Sequence, residues 1–231
     1  MALPGNVFMA PGGIHGFDHN ARLSPAEAKG SFQQGYRFCL RYLSRTDEGR
    51  AANAAKGAPD LAADEAADIL NAGLALMAVQ HFAGEDWQPS GDLGMEYGQN
   101  AARYASAAGL PQGVNVWVDL EAVAANTDPN DVIAYCNNWF SALNAQGFRG
   151  GVYVGNSPGL TSQQLFWNLA TKHYWRGPDI DTSIPDIDRR GYQLFQHLDK
   201  LPNGDEFDRN LTNVDNYGEC VYWLSLNALI A

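Results

Sequence analysis

Asp119 and Glu121 close an apolar run, Val114-Asn115-Val116-Trp117-Val118-Asp119-Leu120-Glu121. Read as a β-strand, the run alternates faces. Both acids then point one way, while Val114, Val116, Val118 and Leu120 point the other way into packing. Two residues along a strand span roughly 6.5–7 Å, so the two carboxyl groups can share one substrate pocket. Like charges held that close and partly buried raise at least one pKa. A carboxyl that stays protonated near neutral pH can serve as a general acid. Acids at strand ends also cap loops, so the chemistry rests on the company this pair keeps.

That company is acidic, amide-bearing and aromatic. Asp18 ends an earlier strand-like run, Ile14-His15-Gly16-Phe17, and Asp208 lies in a late one, Glu206-Phe207-Asp208. Gln80, His81 and Phe82 end a third. Tyr153, Trp175, Gln196 and His197 lie in or at the ends of others, and Trp87 follows in a loop. Sugars are bound by such mixtures: aromatic faces cover C–H faces, and amides and carboxylates take hydroxyls. Trp117, Trp139 and Trp167 read as core packing, whereas Trp87 and Trp175 are candidate sugar platforms. His15 and His19 flank Asp18 without a defined role, and His81 suits a supporting hydrogen bond at least as well as proton transfer.

The elements that must carry these residues alternate strand and helix. After the first strand, Ser24-Pro25-Ala26-Glu27 forms a capping box with proline at the first helical position. A second strand covers Phe38–Leu43, and an Ala-, Gly- and Lys-containing loop runs on to Gly57. A helix over Asp60–Asn71 follows, closed by Gly73. Leu74–Phe82 is the third strand, Gly94–Ala108 a helix, and the acid-bearing run the fourth strand. Asp128 caps a helix over Pro129–Ala145. Gly151–Gly155, His173–Trp175, Tyr192–His197 and Glu206–Asp208 complete eight strands, with a helix over Thr161–Thr171 between the fifth and sixth. Uninterrupted strand–helix units imply parallel pairing. Eight of them in 231 residues fit one α/β domain, a closed (β/α)₈ TIM-type barrel over 1–231, with shortened helices in the last third. An open flavodoxin-like sheet needs only five strands. In a parallel barrel all strands end at one rim, so closure would gather Asp18, Asp119, Glu121 and Asp208 around one mouth.

Composition narrows the partners. A net charge of −11 and a pI near 4.7 disfavour nucleic acid and anionic membranes. No segment reads as membrane-inserting. The three cysteines, Cys39, Cys136 and Cys220, show no zinc-ligand spacing and read as buried free thiols, with a disulfide between two of them left open. No cofactor and no metal are expected. The N-terminus, Met1-Ala2-Leu3-Pro4-Gly5-Asn6, lacks a basic segment followed by an apolar stretch. The expectation is export to the periplasm, cell wall or exterior by a route without such a signal, aided by a delivery partner, with a cytoplasmic site as the alternative.

The order Gly16-Phe17-Asp18, Gln80-His81-Phe82, Asp119-Leu120-Glu121, Leu194-Phe195-Gln196 and Phe207-Asp208-Arg209-Asn210 resembles the muramidases of glycoside hydrolase family 25. Arg41-Tyr42-Leu43-Ser44 on the second strand makes the chain more similar still to the Rv2525c-like glycoside-hydrolase-like barrels. The resemblance spans nearly the whole chain and rests on the shared order of short motifs. It implies a (β/α)₈ fold and a peptidoglycan or related amino-sugar substrate. It also implies Glu121 as general acid, Asp119 orienting an acetamido group or stabilising positive charge, and Asp18 and Asp208 shaping the pocket. The sugar-binding set would be Gln80, His81, Trp87, Tyr153, Trp175 and Gln196. Two positions depart from the family pattern: Gln80 replaces a tyrosine and Phe195 a tryptophan. A glycan-binding barrel without catalysis and a divalent-metal hydrolase using the four acids are the competing readings.

Overall fold

The computed structural model describes residues 3–178, 184–200 and 206–227. Among these residues ten strands are formed: β1 (Asn6–Met9), β2 (His15–His19), β3 (Phe38–Leu43), β4 (Ala75–Gln80), β5 (Asn115–Leu120), β6 (Arg149–Val154), β7 (Tyr174–Arg176), β8 (Leu194–Lys200), β9 (Glu206–Thr212) and β10 (Tyr222–Ser225). Six helices accompany them: α1 (Pro25–Gln33), α2 (Asp47–Ala55), α3 (Ala63–Asn71), α4 (Gly91–Ala107), α5 (Pro129–Asn144) and α6 (Ser162–Asn168). Strands β2 to β9 close on themselves through the β4–β5 and β2–β9 pairs, giving an eight-stranded barrel of the TIM type. No helix is formed among the described residues between β7 and β8, which leaves the last third short of helix.

One expectation about direction is corrected. Neighbouring strands from β2 through β8 pair in parallel, but β9 runs antiparallel to both β8 and β2. Five residues separate β8 from β9, too few for a crossover. Asp208 therefore reaches the rim from the start of its strand, whereas Asp18 and Asp119 reach it near the ends of theirs.

Further differences have local causes. The segment read as a loop before Gly57 contains α2, which buries none of its residues and so shows no apolar periodicity. Helix α3 starts only at Ala63, because Asp60 is turned inward to accept from Ser44 N at 3.0 Å and Ser44 Oγ at 2.6 Å. Trp167, expected in the core, is exposed and donates to Asp188 at 2.9 Å. The capping box of Ser24 and Glu27 and the Asp128 cap form as expected. Cys39, Cys136 and Cys220 are buried free thiols.

Packing rings fill the barrel below the mouth. The Phe38 ring lies over Gly16, where an added Cβ would approach it to 2.5 Å, and Trp117 lies over Gly151 at 2.4 Å in the same sense. Glycine is required at both positions because the ring occupies the place of a side chain. Strands β1 and β10 form an antiparallel pair beside the lower half of β4, joined through Leu224 and Leu76. Asn115 Oδ1 accepts from Tyr222 N at 2.6 Å and ties this pair to β5. Trp223 of β10 is fully buried and meets Phe38 with ring centroids 5.4 Å apart. Outside the barrel, α4 and α5 touch backbone to backbone: a Cβ on Gly94 would come within 2.1 Å of the Tyr135 carbonyl oxygen. No helix among the described residues is long and apolar enough to cross a membrane.

Candidate active site

Strand parity decides which side chains reach the mouth. In parallel pairs, registered residues share a face. Asp119 pairs with Tyr153 and Tyr153 with Trp175, so these three form one inward row across β5, β6 and β7. Tyr42 pairs with Val79 on the inner face, which places their neighbours Leu43 and Gln80 on the outer one.

Two adjoining cavities open at this rim. The first, about 510 Å³, is lined by Asp18, His19, Asn20, Tyr42, His81, Phe82, Asp119, Glu121 and Asp208. The second, about 200 Å³, shares Tyr42, Asp119, Glu121 and Asp208 and adds Tyr153, Trp175 and Gln196. The four acids thus converge on one opening. Among the described residues, no group of three or more His, Cys, Asp or Glu side chains is arranged to hold a metal ion.

Asp18 is the most firmly held of the four. Tyr42 Oη donates to its Oδ1 at 2.8 Å, and Gln196 Nε2 and Asn210 Nδ2 donate to its Oδ2 at 2.8 and 2.7 Å. Gln196 Oε1 in turn accepts from Tyr153 Oη at 2.8 Å, so one network links β2, β3, β6, β8 and β9. These donors favour the anion, yet burial and the nearby Asp208 outweigh them and raise the Asp18 pKa to about 7.

Asp119 is buried, and its Oδ1 has no hydrogen-bond partner among the described residues. Burial, then the neighbouring Glu121 charge, push its pKa well up, with Arg45 opposing. Burial, with Glu85 and Asp208 adding repulsion, raises Glu121 to about 7. A large share of Glu121 is therefore protonated at neutral pH, as a general acid requires. The Glu121 side chain lies across Gly155, where an added Cβ would approach Oε2 to 2.4 Å. Ala122, the next residue, has φ +49°, a left-handed conformation that alanine rarely adopts.

The remaining candidates divide. His81 lines the larger cavity with its ring 4.7 Å from that of Tyr42; burial lowers its pKa to about 4 and keeps the imidazole neutral. Tyr153, Trp175 and Gln196 form the inner cavity, with Trp175 almost wholly covered. Gln80 lies away from the mouth: it faces α4 and α5, donating to the Ser44 and Tyr97 carbonyls and accepting from Trp139 Nε1 at 2.8 Å. Trp87 lines neither cavity. Its indole donates to the Glu121 carbonyl at 2.8 Å and packs edge-on against Tyr135, bracing the chain after β5. Tyr42 and Asn210, which grip Asp18, and Glu85, which acts on Glu121, were not among the candidates.

Fold and site together define a glycoside-hydrolase-like barrel with a carboxyl-lined mouth. Comparison of the sequence with family models matches residues 31–217 to the Rv2525c-like, glycoside hydrolase-like domain, and the chain belongs to that family. No curated protein matches it. Among solved structures it is similar to the Tat-secreted protein Rv2525c of Mycobacterium tuberculosis, with TM-score 0.63 and 20% identity, covering 91% of this chain and 99% of that one. An uncharacterised B. stearothermophilus protein matches with TM-score 0.63 and 19% identity, covering 87% and 96%. The lysozyme of Streptomyces coelicolor matches with TM-score 0.56 and 14% identity, covering 88% and 94%. At these identities the likeness concerns the fold.

Proposed function

We propose that this chain hydrolyses a β-linked amino-sugar glycan, peptidoglycan being the substrate in mind, with Glu121 as general acid. The observation that carries the reading is a glutamate with its pKa raised to about 7, set among three further carboxyl groups in one barrel mouth. Likeness to a bacterial lysozyme supports the choice of polymer. Glu121 would protonate the leaving oxygen of the scissile bond. The oxocarbenium-like transition state would then gain from carboxylate charge beside it. Asp119, one strand step deeper, would orient the acetamido group or balance that charge. Asp18, fixed by three donors, would hold hydroxyls or water with Asp208. His81, Tyr153, Trp175 and Gln196 would line the sugar site. Likeness to a Tat-secreted protein supports action outside the cytoplasm.

The test is incubation of the purified chain with peptidoglycan and analysis of released muropeptides. The expected result is release by the parent and none by Glu121→Gln, whose circular dichroism and melting remain those of a folded barrel. Unchanged turnover in that variant removes Glu121 from its role. Binding of peptidoglycan without release would make the barrel a glycan-recognition module.

A further inference from the structure

At the end of the barrel away from the acids, a cavity of about 470 Å³ opens where β5, β6 and β7 begin. Asn115 registers with Arg149 and Asp119 with Tyr153, so the cavity lies about 13 Å along the strands from the level of the acids. We propose that this cavity binds an oxyanion, the carboxylate or phosphate group of a small ligand, at a site separate from the mouth and independent of the glycan reading.

The chain carries a net charge of −11, yet Arg149 and Lys172 both line this cavity. Both side chains are exposed, so their N–H groups are open to a ligand. Neither donates a hydrogen bond or forms an ion pair within the described residues. Each rests instead on an aromatic face. The Arg149 guanidinium carbon lies 4.0 Å from the centroid of the Tyr222 ring, and Lys172 Nζ lies 5.3 Å from that of Phe166. Such contacts hold a cation in place without using its donors. A guanidinium stacked by its face keeps its in-plane fork free for a carboxylate or phosphate. Tyr222 is fixed in turn, meeting the buried His173 ring edge-on with centroids 5.9 Å apart.

The rest of the lining fits an anion. Asn144 Oδ1 accepts from Gly150 N at 3.1 Å, which leaves the Nδ2 of this exposed side chain as a further donor. The carboxylate of the lining, Glu219, is already paired with Arg190 at 2.9 Å, and Arg190 also holds Asp215 at 2.6 Å. Arg149, Lys172 and Arg190 thus face Asp215 and Glu219, one positive charge in excess. His173 adds none, because burial, then Arg149, lower its pKa to about 4. The mouth, by contrast, is lined by four carboxyl groups and by no lysine or arginine. The two ends of the barrel therefore select ligands of opposite charge.

The experiment is an NMR titration of the full chain with inorganic phosphate and with succinate, at ionic strength held constant with sodium chloride, following the His173 ring signals. One saturable site is expected, with a Kd of order 1 mM for at least one of the two anions, and the tighter of them names the group bound. Arg149→Gln and Lys172→Gln should each weaken binding about tenfold, with melting unchanged, whereas Lys29→Gln on α1 should leave it as it was. No saturable shift with either anion, binding that survives both cavity substitutions, or an equal weakening by Lys29→Gln overturns the site. None of these outcomes bears on muropeptide release, which tests the glycan reading separately.

Discussion

Burial and two acidic neighbours raise the Glu121 carboxyl to about 7, and the sign of that shift acts on both turnover and stability. In the general-acid role proposed above the useful form is the protonated one, so that proposal predicts glycan cleavage that falls as pH rises through about 7. The folded pKa also exceeds that of the unfolded chain, near 4.3. The folded state therefore holds the proton more tightly, and the associated stability is full below about pH 4 and lost as pH rises through about 7. Glu121→Gln removes this loss. Relative to the parent, the variant should gain almost nothing at pH 4 and of order 3–4 kcal/mol at pH 8, measured from urea midpoints. An equal gain at both pH values would mean that the carboxyl is not perturbed in this way. The Asp119–Glu121 pair was legible in the sequence because period two requires nothing beyond adjacent residues. Gln80 and His81 illustrate the same rule neglected: consecutive strand residues face opposite sides, and only His81 turns to the mouth. The grip of Tyr42 and Asn210 on Asp18 joins positions 24 and 192 residues apart, a relation that no local pattern carries.

Along a single element, the run Arg41-Tyr42-Leu43-Ser44 alternates its tasks with the pleat. Tyr42 turns inward to Asp18, while Arg41 turns outward to pair with Glu65 at 2.6 Å, both fully buried. Glu65 also accepts from Leu23 N at 2.8 Å, so the pair ties β3 to α3 and to the start of α1. The contact of α4 with α5 depends on missing side chains. Gly94→Val would drive a side chain into the Tyr135 carbonyl and should cost about 1–3 kcal/mol or more. Gly30→Ala in α1 meets nothing within 4 Å and should instead stabilise by about 0.5–1 kcal/mol. Urea denaturation of the two variants checks the contrast, and equal effects would refute the close-packing account. The eight barrel strands were readable from apolar runs and the starts of α1 and α5 from their caps, whereas β1, β10 and the Ser90 cap that starts α4 were not read. Helix α2 was not, since none of its residues is buried, and the reversed direction of β9 left no mark in its own residues.

At the scale of the molecule, closure and floor are contributed late in the chain. Strand β9 completes the ring by pairing with β2, and it also brings Asn210 and Asp208 to Asp18. The site therefore exists only when both ends of the barrel are present. Trp223 forms part of the floor beneath Phe38, and Trp223→Ala should cost about 3–5 kcal/mol in a denaturation experiment. A loss below about 1 kcal/mol would show that β10 is an appendage rather than part of the core.

The antiparallel pair of β1 and β10 sets Asn6 opposite Ser225, beside the lower half of β4. Both ends of the described chain therefore emerge together on the side turned away from the acids. A tether, tag or neighbouring module joined at either end would hang from the back of the barrel. The front, where the four acids open, stays clear of both.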